Sequence, residues 1–560
     1  MSQMEVITVG SLEKVMPSVR PVLTEKENTC FRNQTFSFQV AYCEQERESF
    51  LKNCFWEVEG PLKEYVTVRP VALIPCTTPR SAAYDDYYSV ENAALVPDVL
   101  RNENFFYARY REWGALWVTV RGSLPAGKNV IRIQLKTDCG ELLGVAEYEL
   151  NVLNAELPRT DFGVSHWFHY DSVAEYYGVQ PFDAEFYEIF DEFLRNAAAH
   201  GVDTWLVPLF TPPLNTGAGR ERTTSQLVIA ESCGGEYKFD FSRLEAFIDR
   251  IRAVGIRRLE MSHLFTQWGA EFAPKIMVRR GGKLYKEFGN GELALGDKYK
   301  NFLRAFLPSL VDLLKRKGIS SDECYFHISD EPNGTHLPHY LQIREFIKPL
   351  LGEYPIFDAL SDFSFFKQGA VDIPVVCTDS AEKFIEARAP FWAYYCTGQG
   401  SAYLSNRFLS MPLQRTRIIG LQLYLSDCRG FLHWGCNYYN SALSERYIDP
   451  YQVTDADGSF QSGDSFIVYP VKRPFALNGG SAENYAFGRV ADSVRHEIFY
   501  DAIQDYRALK FLELLVGRDC VVNFLREEGV GKTFEEYPHS AVWHTEFRQK
   551  LNARIISALS

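Results

Sequence analysis

The stretch Tyr325-Phe-His-Ile-Ser-Asp-Glu-Pro332 runs apolar into two consecutive carboxylates, Asp330 and Glu331, and a proline stops it. Two carboxyl groups this close cannot both ionise freely, so one is pushed up in pKa and can serve as an acid at neutral pH. Cleavage of a glycosidic bond is one chemistry that uses such a pair. In the usual glycosidase the two carboxylates come from different strands and stand about 5–5.5 Å apart for retention or about 6.5–9.5 Å for inversion. Neighbouring residues suit the substrate-assisted route instead. There one carboxylate protonates the leaving oxygen, and the other holds the N–H of a 2-acetamido group whose own oxygen attacks the anomeric carbon. The plainer alternative is a helix N-terminus, where acidic residues favour the dipole and Pro332 takes the first turn.

Other residues could share a site with this pair. His166, His169 and Asp171 close one apolar run, where alternation turns one histidine inward, either to a sugar hydroxyl or to a hydrogen bond in the core. Trp392, Tyr394, Trp434, Asn437 and Tyr438 sit at two further run ends and, with Trp268, offer apolar walls for a sugar ring or ordinary packing. Asp358 and Asp362 are the rival second carboxylate. His263 and His433 lack the clustered carboxylate that a metal site needs, so neither metal nor other cofactor is expected. Asp464 and Tyr469 read as a turn or as a pocket edge, and Arg495 and Glu497 as a polar helix start or a site pair. No nucleophile elbow, phosphate loop or dinucleotide fingerprint occurs in the right setting.

The elements that must position these residues fall into two rhythms. Residues 1–155 read as short strands broken by turns, among them 35–42, 65–69, 115–120 and 129–135, with a turn at 125–128, which indicates an antiparallel β-sandwich. After a linker at 155–160, short apolar runs alternate with helical stretches. Strands are expected at 163–170, 204–210, 258–265, 324–329, 355–359, 373–377, 391–396 and 430–434. Helices are expected at 184–200, 243–254, 298–316, 337–350 and 493–515. This pattern predicts a (β/α)8 barrel over 161–515, with its active site where strands end and loops begin, and a helical tail over 516–560. A doubly wound sheet is the fold alternative. The long connections 266–297 and 437–492 emerge on the same barrel face, as lids or substrate walls.

Composition excludes several classes. The chain has 560 residues, too many for one small fold, and a 46% apolar fraction that can bury a large core. Its 59 basic and 72 acidic side chains give a charge of −13, which argues against nucleic acid or an anionic membrane as partner. The twelve cysteines form no C-x-x-C pair, and neither a signal peptide nor a membrane-length apolar run is visible. A cytoplasmic location is expected.

Residues 161–515 resemble the catalytic domain of glycoside hydrolase family 123. The resemblance is carried by His166-Trp-Phe-His-Tyr-Asp171, His327-Ile-Ser-Asp-Glu-Pro332, Gly430-Phe-Leu-His-Trp-Gly-Cys-Asn-Tyr-Tyr439 and Gly463-Asp-Ser-Phe-Ile-Val-Tyr-Pro470. Ser493-Val-Arg-His-Glu497 and Asp501-Ala-Ile-Gln-Asp-Tyr506 complete it in order and spacing. It implies metal-free, retaining, substrate-assisted β-N-acetylgalactosaminidase chemistry on an oligosaccharide or glycoconjugate. Glu331 is then the general acid/base, Asp330 the stabiliser of the acetamido group, and Tyr394 or Tyr438 the partner of its carbonyl. A glycosidase with a protein nucleophile, and a non-catalytic carbohydrate-binding protein, remain as alternatives.

Overall fold

The computed structural model describes residues 4–45, 51–80, 85–217, 219–472, 488–531 and 533–559. The alternating N-terminal strands pair into two five-stranded sheets. One has the order Glu5–Gly10, Phe36–Cys43, Trp113–Val120, Val66–Cys76 and Ala94–Leu100, antiparallel throughout. The other has the order Glu27–Phe31, Leu142–Leu153, Gly127–Thr137, Leu51–Glu59 and Phe106–Arg109. Its edge strand Glu27–Phe31 runs parallel to Leu142–Leu153, a departure from the expected antiparallel sandwich. These two strands are far apart in the chain, so no tight turn fixes their direction. Strand Gly127–Thr137 shows why the sheets stack: Ile131, Ile133 and Leu135 point inward and their neighbours outward. The inner faces meet around Phe38 and Tyr148, stacked with ring centroids 4.1 Å apart.

All eight expected parallel strands are present: β1 (Gly163–His166), β2 (Thr204–Val207), β3 (Arg258–Met261), β4 (Cys324–Phe326), β5 (Phe357–Ala359), β6 (Ile373–Cys377), β7 (Trp392–Tyr394) and β8 (Gly430–His433). Their order is β4-β3-β2-β1-β8-β7-β6-β5, chain neighbours side by side, which is a barrel and not a doubly wound sheet. The remaining seam, between β4 and β5, is joined by a single parallel bridge from Phe326 to Ile356, so the barrel is nearly closed. Between the strands run helices α1 (Tyr170–Tyr177), α2 (Ala184–Ala199), α3 (Ser242–Ala253), α4 (Asp297–Arg316), α5 (Leu337–Leu351), α6 (Phe363–Lys367), α7 (Glu382–Glu386), α8 (Leu413–Arg417) and α9 (Ile419–Leu425). Helix α10 (Val494–Val516) follows β8, capped by Ser493, and α11 (Arg518–Glu527) and α12 (Ala541–Leu559) end the chain.

The barrel interior is filled by Leu206, Tyr325, Phe357, Val375, Trp392 and Leu432. Trp392 fits because Gly163 and Gly430 flank it: a Cβ at those positions would lie 2.1 and 2.3 Å from the indole. Sandwich and barrel are locked by buried ion pairs. Arg495 of α10 binds both oxygens of Asp98 at 2.9 Å, Arg415 of α8 binds both oxygens of Asp85 at 2.8 Å, and Arg69 holds Asp492 and Glu497. Tyr469 donates to Asp98 at 2.6 Å. Arg495, Glu497 and Tyr469 therefore belong to this seam.

Candidate active site

Beyond β4 the chain stays extended through His327, Ile328 and Ser329, gripped from both sides. The amides of Leu264 and Phe265 donate to the carbonyls of His327 and Ile328 at 3.0 and 3.1 Å. The amides of Ile328 and Ser329 in turn donate to the Asp358 carboxylate within β5. The turn that follows is stitched likewise. Trp268 N–H donates to the Asp330 carbonyl and Glu331 N–H to the Ala359 carbonyl, each at 2.9 Å. Glu331 sits there at φ +47°, a left-handed conformation that costs a non-glycine residue about 1–3 kcal/mol and persists only where the surroundings impose it. Asn333 and not the carboxylate pair caps the next helical turn, which removes the helix-start explanation of this motif.

The two carboxylates differ sharply. Asp330 is buried and accepts one side-chain hydrogen bond, from Gln267 Nε2 at 2.6 Å. Burial, reinforced by repulsion from Glu331, holds its carboxyl well above the usual range. Glu331 is exposed, and its Oε1 accepts the Tyr394 hydroxyl at 2.7 Å. Both line a cavity of about 220 Å³ at the C-terminal ends of the strands, together with Trp167, Gln267, Trp268, Tyr394, Trp434 and Phe460. Among the described residues they are the two carboxylates of its lining. Trp434 is fixed there by its Nε1–H, which donates to Asp464 Oδ2 at 3.1 Å. Burial pushes Asp464 up to about 6.

Beneath the cavity lies a buried charge relay. The His327 ring nitrogens stand 2.9 Å from Glu260 and 3.1 Å from Asp358, and Trp167 Nε1–H donates to Glu260 at 2.8 Å. Burial opposes a charge on His327, but the bonds to Asp358 and Glu260 win and push it up to about 9. Asp358 receives four donors, the His327 ring, the Ile328 and Ser329 amides and the Tyr340 hydroxyl, and lies outside the cavity lining. Burial pushes its carboxyl up and these donors pull it back. The geometry decides for the ionised form, since every group around it donates. Asp362 caps α6 by accepting Ser364 N–H at 2.9 Å, also outside the lining.

Several residues selected from sequence support the cavity from behind. His169 bonds the Trp434 carbonyl at 2.9 Å and Arg222 at 3.1 Å, and burial followed by Arg222 pushes it down to about 3, so it is neutral. Asp171 pairs with Arg222 through both oxygens. Asn437 clamps the His169 backbone, accepting its N–H at 2.9 Å and donating to its carbonyl at 3.1 Å. The Tyr438 hydroxyl donates to the Ser441 carbonyl at 2.8 Å, away from the cavity. His166 is packed among His433, His496 and Phe499 in the core, held neutral by burial. Trp392 fills the barrel interior instead of walling the cavity, because it opens β7 while Tyr394 closes it. Gln267 and Glu260 were not selected. A carboxylate between the apolar Leu259 and Met261 is the visible signal for the latter.

Among the described residues two groups bring metal-ligating side chains together, His263 with His327 and Asp358, and His200 with Asp492 and His496. In the first, His327 is committed to two carboxylates as a cation; in the second, Asp492 is already bonded by Arg69 at 2.6 Å and Asn196 at 2.7 Å. Neither donor set fits a bound cation.

The model of the glycoside hydrolase 123 catalytic domain matches residues 167–512, more than half of the chain. The chain belongs to glycoside hydrolase family 123. A family 123 glycoside hydrolase from Clostridium perfringens, described for glycolipid glycan hydrolysis, is similar over 100% of this chain and 97% of its own, with a TM-score of 0.73 at 14% identity. An endo-β-1,4-mannanase from Thermotoga petrophila covers 63% of this chain and 78% of its own, with a TM-score of 0.33 at 12% identity. No curated protein matches at the level of sequence. As a family 123 glycoside hydrolase the chain is an enzyme acting on carbohydrate, and no helix among its described residues is long and apolar enough to cross a membrane.

Proposed function

We propose that this family 123 enzyme is a retaining β-N-acetylhexosaminidase, with β-N-acetylgalactosamine its first-choice sugar and the substrate itself as nucleophile. One observation carries the reading: the lining of the small cavity offers two adjacent carboxylates and, among the described residues, no third. A protein nucleophile must face the acid across the scissile bond. Asp358 is saturated by four donors and Asp362 caps a helix, so neither can take that part. The attacking atom is then the 2-acetamido oxygen.

In the first step the Glu331 carboxyl gives its proton to the glycosidic oxygen as the bond to the anomeric carbon breaks. The acetamido oxygen closes on that carbon and forms an oxazolinium ion. Asp330 accepts the acetamido N–H and balances the positive charge. In the free site burial holds the Asp330 carboxyl well above the usual carboxylate range. An N–H presented to Asp330 stabilises its charged form and leaves the proton to Glu331, so binding itself arms the acid. Tyr394, which donates to Glu331 in the free site, turns its hydroxyl to the acetamido carbonyl, and Trp434 supports the apolar face of the sugar. In the second step Glu331 takes a proton from water, the water oxygen attacks the anomeric carbon, and the oxazolinium ring opens with retention. The glycan of a glycolipid or another oligosaccharide is the substrate class.

The test is hydrolysis of 4-nitrophenyl β-N-acetylgalactosaminide beside the glucosaminide and the plain β-galactoside. Turnover is expected for the acetamido sugars alone, with inhibition by a thiazoline that mimics the cyclic intermediate. Glu331→Gln is expected to lose about 10²–10⁴-fold in kcat on a natural glycoside. Comparable turnover of the plain galactoside, untouched by the thiazoline, would overturn the reading.

A further inference from the structure

A chain of hydrogen bonds crosses the catalytic cavity through the loops that follow β8, β2, β3 and β4. The Leu443 amide donates to Asn215 Oδ1 at 2.8 Å, and Ser444 Oγ donates to the Asn215 carbonyl at 2.6 Å. The Asn215 amide donates to Gln267 Oε1, and Gln267 Nε2 donates to Asp330 Oδ2 at 2.6 Å. Leu443, Asn215, Gln267 and Asp330 all line the cavity. The chain thus runs from a buried carboxylate to Leu443, which stands at the mouth with 40% of its surface exposed.

Its direction is fixed by chemistry. A backbone N–H can only donate, so the carbonyl oxygen of the Gln267 amide faces Asn215 and its NH2 group faces Asp330. Oδ2 of Asp330 is thereby kept as an acceptor, and Oδ1 is the oxygen left to take an N–H. Trp268 N–H fixes the turn itself through the Asp330 carbonyl, but a carboxylate still rotates about a broad torsion. Gln267 is the side chain that stops this rotation. Strained backbone gathers along the same path. Asn215, Leu443 and Ser444 have φ of +43°, +58° and +53°, and Trp268 and Glu331, next to Gln267 and Asp330, have +57° and +47°. Such conformations persist where the surroundings over-determine them and cluster where a site is pre-organised.

We propose that Gln267 is a positioning residue of the reaction: it holds Oδ2 of Asp330 so that Oδ1 faces the acetamido N–H, and through Asn215 it ties that setting to the loop bearing Leu443. The proposal rests on the reading of Asp330 as partner of the acetamido group. It adds the residue that orients this carboxylate and a physical link from it to the cavity mouth.

The decisive variant is Gln267→Glu. Its carboxyl still accepts the Asn215 N–H; ionised it repels Asp330, and protonated it donates to Oδ2 as the amide does. Burial and the charges of Glu331 and Asp358 raise the Asp330 carboxyl, and Gln267 and His327 lower it; the variant changes Gln267 alone. The assay uses 4-nitrophenyl β-N-acetylgalactosaminide, whose leaving group needs little help from Glu331, so that the rate reads acetamido participation. The ratio of wild-type to Gln267→Glu kcat/KM is expected to be about 100-fold at pH 8 and to fall below about threefold at pH 5. Gln267→Met, which neither donates nor titrates, is expected to lose about 10–100-fold at both. A ratio that does not change with pH in Gln267→Glu, or a Gln267→Met enzyme within about twofold of wild type, overturns the positioning role.

Hydrogen exchange tests the tie without substrate. Asn215→Gly keeps the left-handed backbone and the N–H to Gln267 but removes the acceptor of the Leu443 amide, and so gives the exchange of a released loop. Gln267→Met is expected to speed exchange in the peptide holding Leu443 toward that limit. Exchange equal to that of the wild type overturns the tie. If the wild type cleaves no acetamido sugar, the catalytic reading has failed and the positioning role with it, and exchange alone then decides whether Gln267 holds the loop.

Discussion

Asp330 follows β4 and Asp358 lies within the adjacent β5, both are buried, and burial drives both carboxyls upward. What separates them is the number of donors. Asp358 receives four, among them the charged ring of His327, and thereby fixes the course of the chain from His327 to Ser329. Asp330 receives one, from Gln267, and faces an open cavity and a second carboxylate. A carboxylate whose acceptor sites are filled is a structural part, because any reaction there first has to break those bonds. One left short of donors is poised to accept an N–H from a ligand. On the proposed reading, the same residue type on neighbouring strands is thus used once to hold the site and once to work in it.

Substitution by asparagine should split the two cleanly. Asp330→Asn is expected to lower kcat on an acetamido glycoside by about 10²–10³-fold, the scale of losing one group aimed at developing charge. Its stability should match or exceed that of the wild type. The sign follows from the raised pKa. A carboxyl held above its unfolded value contributes stability below the ordinary carboxylate range and loses it as pH rises through the folded value. At neutral pH the wild type bears that loss, and the amide does not. Asp358→Asn is expected to do the reverse. It leaves the buried His327 cation short of a partner and should cost about 3–5 kcal/mol in a denaturant titration. An Asp330→Asn enzyme as unstable as Asp358→Asn would erase the distinction.

The cation between Glu260 and Asp358 sharpens the comparison by pH. His327 is pushed up to about 9, so its contribution is full below its unfolded value, about 6.5, and is lost as pH rises through 9. That shift corresponds to a loss on the order of 3 kcal/mol across this window. His327→Gln should be less stable at pH 6 and should flatten the slope between pH 6.5 and 9, read as midpoints of thermal or urea unfolding. A wild-type slope that survives the substitution would mean that the relay is not charged.

Much of this was legible in the sequence, and the failures have a common cause. Eight apolar runs alternating with helical stretches indicated the barrel, and the Asp330-Glu331-Pro332 stop indicated which strand end brings two adjacent carboxylates to the cavity. Period-two alternation in Gly127–Thr137 revealed a sheet face, but the parallel direction of Glu27–Phe31 is set by a partner some 120 residues away in the chain and leaves no local trace. Depth along a strand was equally hidden. Trp392 and Tyr394 share a face, yet two residues of strand span about 7 Å, enough to put one in the barrel core and the other in the cavity. His169, Asp171 and Asn437 were visible as polar residues at strand ends. That His169 and Asp171 bond Arg222, and Asn437 the His169 backbone, depends in part on a loop 50 residues downstream of Asp171.

The smallest expected effect isolates a single hydroxyl. Tyr394 donates to Glu331 and Tyr340 donates to Asp358, two phenols held protonated by burial, each serving a carboxylate. A hydrogen bond to a charged group is worth about 1.5–3 kcal/mol, so each phenylalanine variant removes a comparable interaction. If the division between the two carboxylates holds, that energy appears in different measurements. Tyr394→Phe should lower kcat about tenfold or somewhat more with unfolding little changed, because in the proposed mechanism its bond is remade with the acetamido group. Tyr340→Phe should lower the unfolding midpoint and leave kcat of the folded fraction within about twofold, because its bond never opens in the cycle. A Tyr340→Phe enzyme that loses kcat as deeply as Tyr394→Phe at full stability would place Asp358 in the reaction, and with it a protein nucleophile.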